Sequence, residues 1–418
     1  MIEPKLFKNL YNLEHRIKKT YDFNLKEYGE FLKEFNSPQN QIGRIIHIAG
    51  TNGKGSVTEM LASVLISAGF RVGVYTSPHI SEVNERIKVD NKQISDKDFS
   101  RIERMIYKKI TGRETSYRTY FEALTALAFI YFKERKTDFA VIETGLGGRL
   151  DSTNVVESEI SIITKIGLDH TDILGKTLKK IAFEKAGIIK KSQYVFTFKQ
   201  NKDVIDVIKR AAEKTDSKLH IVDSSEIIRK TKDSFLFEQK TYTLNQPGSY
   251  QKENAALVIK VSENLKIKLS RIREGLKKFF IEGRLETVNQ KPMIILDGSH
   301  NPQAIEVTLK EVKNLFPKKR LTVISIFMAD KDYKRSINLL KINADRVIVT
   351  QIPFFRCAKK EDYKEMKIEF AENVKIALIN AVDERTDIIL FIGSFYLIAK
   401  AREEVKNFFL TSRIHKSF

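Results

Sequence analysis

The sequence predicts an α/β protein of two domains, the first built on a mainly parallel sheet and the second a smaller unit of the same kind. Three observations predict it. A buried strand, Ile45-Ile46-His47-Ile48-Ala49, runs into a glycine-rich turn and then a helix. Short β-branched runs keep alternating with helical patterns after it, and the alternation restarts near residue 292. Strands separated by helices pair in parallel, because a crossover helix returns the chain to the same end of the sheet.

Each element has its own signal. Val57, Met60, Leu61, Val64, Leu65 and Ala68 recur at the spacing of one apolar helix face, and Gly69 ends that helix. Phe70 to Tyr75, Phe139 to Ile142 and Ile160 to Ile163 read as strands. A helix is expected around Leu178 to Ala186 and a strand at Tyr194 to Phe198. Beyond the restart, Met293 to Leu296, Leu321 to Ile326, Arg346 to Thr350 and Ile388 to Ile392 are strands, with a helix from about Ala304. The domains are expected at 1–283 and 284–418, with Glu282 to Gln290 as the hinge.

Composition narrows the class. The 418 residues are 42% hydrophobic and 30% charged, as in ordinary globular chains. Net charge is +20, but Lys and Arg are scattered, and no basic stretch is interleaved with aromatics as a nucleic-acid stacking platform requires. Solvated lysine-rich faces are expected, with some attraction of small anionic substrates, and no nucleic-acid partner. The single cysteine, Cys357, excludes a disulfide within the chain and suits a reducing cytoplasm. No signal peptide is expected at Met1 to Leu10, and no run of about 18 apolar residues predicts a membrane span.

The chemistry gathers at strand ends. In Gly50-Thr51-Asn52-Gly53-Lys54-Gly55-Ser56, glycines let backbone N–H groups curl around phosphate oxygens, and a helix N-terminus follows. Lys54 can reach the β/γ-phosphates and Ser56 can orient a metal, although Ile48 stands where the commoner motif has its first glycine and Gly55 separates Lys54 from Ser56. Glu143 ends a buried strand, where it is either a Mg²⁺ ligand or a solvated edge carboxylate. His170, after the next strand, is either a ligand or a packed histidine. Asn254 is either an adenine contact or a helix-start residue. Lys185, late in a helix, reads by composition as one more solvated lysine.

The ordered motifs resemble the Mur-ligase superfamily, and within it the folylpolyglutamate and dihydrofolate synthases. They are the loop at Gly50 to Ser56, Thr76-Ser77-Pro78-His79-Ile80, Glu85-Arg86-Ile87, Thr119-Tyr120-Phe121-Glu122 and Glu143-Thr144-Gly145-Leu146-Gly147-Gly148-Arg149-Leu150-Asp151. Leu168-Asp169-His170-Thr171, Glu184-Lys185-Ala186-Gly187, Gln251 with Asn254-Ala255, Gly283-Arg284-Leu285-Glu286 and Asp297-Gly298-Ser299-His300-Asn301-Pro302 complete the set. The resemblance covers nearly the whole chain. It implies a P-loop-type parallel-sheet ATPase domain followed by a smaller Rossmann-like α/β domain.

It also implies a reaction: ATP phosphorylates a pterin-linked carboxylate, and the amine of L-glutamate attacks the acyl phosphate. On this resemblance Lys54, Lys185 and His300 serve catalysis. Asn52, Gly53, Lys54, Gly55, Ser56, Asn254, Arg284 and Asp297 bind ATP. Ser77, Glu143 and His170 hold Mg²⁺, and Lys185, carbamylated, organises a second Mg²⁺. Asp22, Phe23, Asn24, Thr119, Tyr120, Phe121, Leu150, Asp151 and Ser152 line the side that takes dihydropteroate or a reduced folate. The protein is expected to act as a monomer. Four positions depart from the family pattern: Glu282 replaces proline, Asn24 glycine, Tyr250 histidine and Ser299 alanine. A cell-wall Mur ligase is the near alternative, and the loop start at Gly50 leaves no room for its extra N-terminal domain. A nucleic-acid-stimulated ATPase and a silent nucleotide-binding module are the more distant ones.

Overall fold

A computed structural model describes residues 24–111, 119–329, 331–383 and 385–414. They divide into two compact units, one of residues 24–245 and 250–280, the other of residues 246–249 and 281–414.

The first unit begins with α1 (Leu25–Lys33), β1 (Arg44–Ala49), α2 (Lys54–Ser67), β2 (Val72–Tyr75), β3 (Ile87–Val89) and β4 (Lys92–Gln93). It continues through α3 (Asp96–Thr111), α4 (Tyr120–Glu134), β5 (Phe139–Glu143), β6 (Ile160–Ile163), α5 (Thr171–Leu174), α6 (Leu178–Ala186) and β7 (Tyr194–Phe198). Then come α7 (Lys202–Lys214), β8 (Lys218–Val222), β9 (Ile228–Arg229), β10 (Ser234–Phe237), β11 (Lys240–Thr243), α8 (Ser249–Asn264) and α9 (Leu269–Lys278). Among the described residues the main sheet has eight strands in the order β4-β3-β2-β5-β1-β6-β7-β8. It is parallel from β2 to β8, with β3 and β4 added antiparallel at one edge. The β9–β11 segment forms a separate three-stranded antiparallel sheet that the apolar pattern did not announce.

β1 lies between β5 and β6, with Ile48 level with Glu143 and Ala49 level with Ile163. Its run Ile45 to Ala49 is buried throughout, which a strand covered by helices on both faces requires. The loops after β1, β5 and β6 therefore emerge side by side at the carboxyl ends of the strands, where ligands collect in open α/β sheets.

The helix after the glycine-rich loop differs from its sequence pattern. One apolar face was expected, yet every residue from Ser56 to Leu65 is buried. The polar side is covered because it finds partners. Glu59 pairs with Lys88 at 2.5 Å, and the Ser63 hydroxyl donates to the Gly275 carbonyl of α9 at 2.8 Å. A buried polar group so satisfied costs little, so a second layer can pack where solvent was expected.

The second unit contains β12 (Glu286–Gln290), β13 (Met293–Leu296), α10 (Pro302–Leu315), β14 (Leu321–Ser325), α11 (Tyr333–Asn343), β15 (Arg346–Val349), β16 (Glu369–Phe370), α12 (Val374–Ala381), β17 (Ile388–Ile392) and α13 (Phe395–Ile414). Among the described residues its sheet runs β12-β13-β17-β14-β15-β16, parallel except for β12 against β13. Most of the segment read as a hinge is thus an edge strand, with Glu286 paired to Leu296 and Gln290 to Met293. Its polar alternation hid this, because an edge strand needs only one ladder and little apolar surface.

Leu61 is fully buried in α2. Leu61→Ala is expected to lower the unfolding free energy by about 2–5 kcal/mol. Urea unfolding followed by circular dichroism checks this, and a smaller loss would mean that the layer over α2 collapses into the cavity.

Candidate active site

The loop between β1 and α2 is held from below. The Thr51 hydroxyl donates to the Gly167 carbonyl at 3.1 Å and accepts from the Gly167 N–H at 3.0 Å, while the Thr51 N–H donates to the Lys165 carbonyl at 2.9 Å. Gly53, the N-cap of α2, has φ +93. A side chain there would be strained, and its Cβ would lie 2.9 Å from the Asn254 side-chain oxygen. The four residues before Lys54 are thereby set with their backbone around the start of α2, whose first N–H groups have no partner inside the helix.

Two lysines converge on this loop. Lys54 Nζ donates to the Gly50 carbonyl at 3.1 Å and lies 3.4 Å from the Thr51 carbonyl. Lys185 Nζ, from α6, donates to the same Gly50 carbonyl at 2.7 Å. The reading of Lys185 as a solvated lysine is overturned, since it is 4% exposed. Burial, reinforced by the charge of Lys54, pushes its pKa down to about 7, against the opposing pull of Asp169, Asp151 and Glu143. Glu143 is itself buried, with one carboxylate oxygen 4.0 Å from Lys54 Nζ and the other accepting the Ser77 backbone N–H at 3.2 Å. Lys54, Lys185, Glu143 and Ser77 therefore form one group. His170 caps α5 in the left-handed conformation, is exposed, and has its Nε2 3.9 Å from the Asp169 carboxylate.

Asn254 stands within α8 rather than at its start, and its amide donates to Gln251 at 3.1 Å. With its oxygen against Gly53, it belongs to the phosphate loop's surroundings. The same helix holds the loop a second time, through the ion pair of Glu253 with Lys165.

The residues expected on the pterin side divide into two kinds. Thr119 caps α4 in a reciprocal box with Glu122, at 2.8 and 3.1 Å. Phe121 stacks on Tyr75 with ring centroids 5.9 Å apart. The Tyr120 ring lies 6.0 Å from the Arg86 guanidinium, and Arg86 Nε donates to His79 Nδ1 at 2.9 Å. Burial lowers the His79 pKa to about 3, so it stays neutral and can accept this bond. Leu150 is exposed. Asp151 and Ser152, by contrast, are buried and committed. Asp151 accepts from the Leu146 N–H at 2.8 Å, the Thr153 N–H at 3.0 Å and the Thr153 hydroxyl at 2.5 Å. Because Thr153 donates to Asp151, it accepts from His47 Nε2, 2.8 Å away on β1. The Ser152 hydroxyl meets that of Thr125 at 3.0 Å. These two residues shape the loop and do not line it. Asn24 caps α1 at φ −116, accepting from the Lys26 and Glu27 N–H groups, so it is a helix cap and not a left-handed turn. Asp22 and Phe23 lie outside the described residues.

In the second unit, Asp297 is buried and accepts from the Leu285 N–H and the Ser299 N–H, each at 2.9 Å. Arg284 lies over Phe395, its guanidinium 4.8 Å from the ring centroid. The His300 ring is 6.1 Å from Phe395, with Nδ1 3.2 Å from the Gly298 carbonyl. These three expected residues thus cluster within that unit. Thr51, His47 and Thr153 were not singled out by sequence, and only Thr51 sits in a motif that could have signalled it.

The geometry defines a phosphate-binding strand–loop–helix with a buried carboxylate and two lysines beside it. The Mur ligase middle domain matches residues 48–262, and the Mur ligase glutamate ligase domain matches residues 283–395. The chain is 36% identical to the dihydrofolate synthase/folylpolyglutamate synthase of Bacillus subtilis (strain 168), over 90% of this chain and 94% of that one. It is 33% identical to the folylpolyglutamate synthase of Lacticaseibacillus casei, over 89% and 92% respectively. Among solved structures, E. coli FolC in complex with DHPP and ADP superposes with a TM-score of 0.87 at 28% identity, covering 97% of this chain and 98% of that one. The chain belongs to the Mur ligase family, in its dihydrofolate synthase/folylpolyglutamate synthase branch. Among the described residues no helix is long and apolar enough to cross a membrane.

The shifted Lys185 makes a thermodynamic prediction. Between about 7 and 10.5 the unfolded chain holds a proton that the folded chain has released, so stability rises with pH across that window. In metal-free buffer purged of CO₂, the folding constant of the wild type is expected to gain up to about tenfold per pH unit over Lys185→Met. Urea midpoints at several pH values measure it, and parallel curves for the two proteins would show that Lys185 keeps its proton.

Proposed function

We propose that this chain is an ATP-dependent amide-bond ligase that adds L-glutamate to dihydropteroate, forming dihydrofolate, and to reduced folates, forming folylpolyglutamates. The observation that carries this reading is the convergence of Lys54 and Lys185 on the Gly50 carbonyl, beside the buried Glu143.

A carboxylate does not react with an amine until one of its oxygens becomes a leaving group. In the reaction, that oxygen attacks the γ-phosphorus of ATP, and ADP departs. The amine of glutamate then attacks the acyl carbon, phosphate leaves, and the amine gives up its proton. The first step brings two anions together, so it needs positive charge fixed beforehand. Lys54 and the N–H groups of Gly53, Gly55 and Ser56 supply it to the phosphates, while the Asn52 N–H holds the loop to the Lys165 carbonyl at 3.2 Å. Asn254, and Arg284 of the second unit, are further ATP contacts, while Asp297, its carboxylate taken by the Leu285 and Ser299 N–H groups, holds the turn of Arg284 and the loop of His300.

Glu143 is a hard-oxygen donor already out of water, with Lys54 Nζ 4.0 Å from one of its oxygens. Among the described residues no three His, Cys, Asp or Glu side chains group to hold a metal alone. That suits Mg²⁺, which takes one or two carboxylates and completes its shell with phosphate and water oxygens. Glu143, Ser77 and His170 would hold it, and when bound it supplies charge neutralisation for the phosphates. Lys185, with a pKa of about 7, is partly neutral near pH 7, and a neutral amine is the form to which CO₂ adds. Its carbamate would offer oxygens to a second Mg²⁺. The pterin side is formed by Asn24, Thr119 to Phe121 and the loop that Asp151 and Ser152 shape around Leu150.

Incorporation of radiolabelled glutamate with ATP and Mg²⁺ tests the proposal against dihydropteroate, dihydrofolate and tetrahydrofolate. Label in the products of dihydropteroate and tetrahydrofolate supports both activities. Label with tetrahydrofolate alone reduces the proposal to polyglutamate synthesis, and no label with any of the three sinks it. Lys54→Ala is expected to lower turnover on the order of a hundredfold or more while leaving the unfolding midpoint unchanged. Near-normal turnover would remove the phosphate-loop assignment.

A further inference from the structure

Arg284 is carried by a short turn that the second unit holds with unusual thoroughness. Gly283 has φ +65 and Leu285 φ +46, the latter a conformation a leucine adopts only when its surroundings impose it. The imposing bonds can be followed one by one. Gln246, itself buried, donates to the carbonyls of Ile281 and Arg284, both at 2.7 Å, and accepts from the Ile281 N–H at 3.0 Å. The Leu285 N–H goes to Asp297, and the Gly283 carbonyl accepts from the Gly298 N–H at 2.7 Å. The Gly283 N–H goes to the buried carboxylate of Glu286 at 2.7 Å.

That carboxylate depends in turn on a residue far along the chain. Arg402, on α13, donates to both oxygens of Glu286 at 2.7 Å, and it reaches Glu282 at 3.1 Å. One guanidinium therefore grips the turn on both sides of Arg284. Glu282 is the position where the family pattern has proline. A proline stiffens a turn through its own ring, whereas here an ion pair to Arg402 restrains the same residue from outside.

We propose that Arg402 is a positioning residue for Arg284: through Glu286 and Glu282 it holds the turn that presents the Arg284 guanidinium to ATP. The inference rests on the reading that Arg284 contacts ATP. Without Arg402, Glu286 would be a buried carboxylate without its cation. It would take up a proton, which weakens its bond from the Gly283 N–H, or swing outward, which frees that N–H, and either change loosens the turn. Lysine cannot replace the fork, since it offers a point charge where two parallel bonds are required.

The test is steady-state kinetics on the full chain with Arg402→Met, Arg402→Lys, Glu282→Gln, Arg284→Ala and the Arg284→Ala/Arg402→Met double variant. Arg402→Met is expected to raise the KM for ATP about tenfold while the KM for glutamate stays within about twofold. Arg402→Lys should recover little of this loss. Glu282→Gln should give a smaller rise that fades as salt is added, because its pair with Arg402 is solvent-exposed and is screened. In the Arg284→Ala background, Arg402→Met should add nothing, since a residue acting through Arg284 has no effect once Arg284 is gone. An unchanged KM for ATP in folded Arg402→Met overturns the proposal, and so does a loss that persists undiminished without Arg284. If Arg402→Met does not fold, Arg402→Lys and Glu282→Gln decide it by the same criteria. Arg284→Ala separates the two levels. If it leaves the KM for ATP unchanged, the ATP role of Arg284 falls and the proposal with it. If it raises that KM while the Arg402 and Glu282 variants do not, only the positioning role of Arg402 falls.

Discussion

Two ammonium groups share the carbonyl oxygen of Gly50, and the first unit is organised around making that possible. Lys54 reaches it from the first turn of α2 and Lys185 from the end of α6, 135 residues beyond Gly50 in the chain. Bringing them together requires β1 to lie between β5 and β6, so that the loops after all three strands open at one place. It also requires compensation, because a half-buried and a buried like charge repel at this distance. Glu143, Asp151 and Asp169 provide part of it, and the lowered pKa of Lys185 provides the rest by letting one proton go. A site that concentrates positive charge before any phosphate arrives has done its electrostatic reorganisation during folding.

The loops around this pair are held mostly by groups that face away from it. The Thr51 hydroxyl ties the phosphate loop to Gly167. His47, three residues before Gly50, reaches through Thr153 to Asp151, which anchors the loop following Glu143. Full burial keeps His47 neutral, with a pKa near 3, so its own link to Thr153 does not change with pH in the physiological range. The strand that delivers the phosphate loop thus also fixes the backbone on the expected pterin side. Asp151 acts on the site through backbone geometry, and its carboxylate is already fully engaged.

The second unit solves a related problem differently. Arg284 sits on a turn, not at a strand end, and a turn has little intrinsic stiffness. Side chains from four places in the chain, Gln246, Glu286, Asp297 and Arg402, supply what the backbone lacks. Where the family pattern relies on proline, this chain has a carboxylate and an arginine to receive it.

Read alone, the sequence determined what local backbone chemistry controls. Ile160–Ile163, Leu178–Ala186, Tyr194–Phe198, Met293–Leu296 and Ile388–Ile392 fall where β-branched runs and helical spacing put them. The glycine-rich strand–loop–helix was legible because glycine and lysine at that spacing, between a strand and a helix, have a direct physical meaning. Edge elements were not legible: β12 reads as a polar run, and the strands β9 to β11 are too short to show a period even though Phe235, Phe237 and Tyr242 are buried. The second buried face of α2 was hidden as well, since the partners of Glu59 and Ser63 lie on other elements. Above all, tertiary structure alone decided the character of Lys185. Nothing in Glu184-Lys185-Ala186-Gly187 distinguishes it chemically from any exposed lysine, because desolvation and a neighbouring charge are properties of the packed environment and not of the residue.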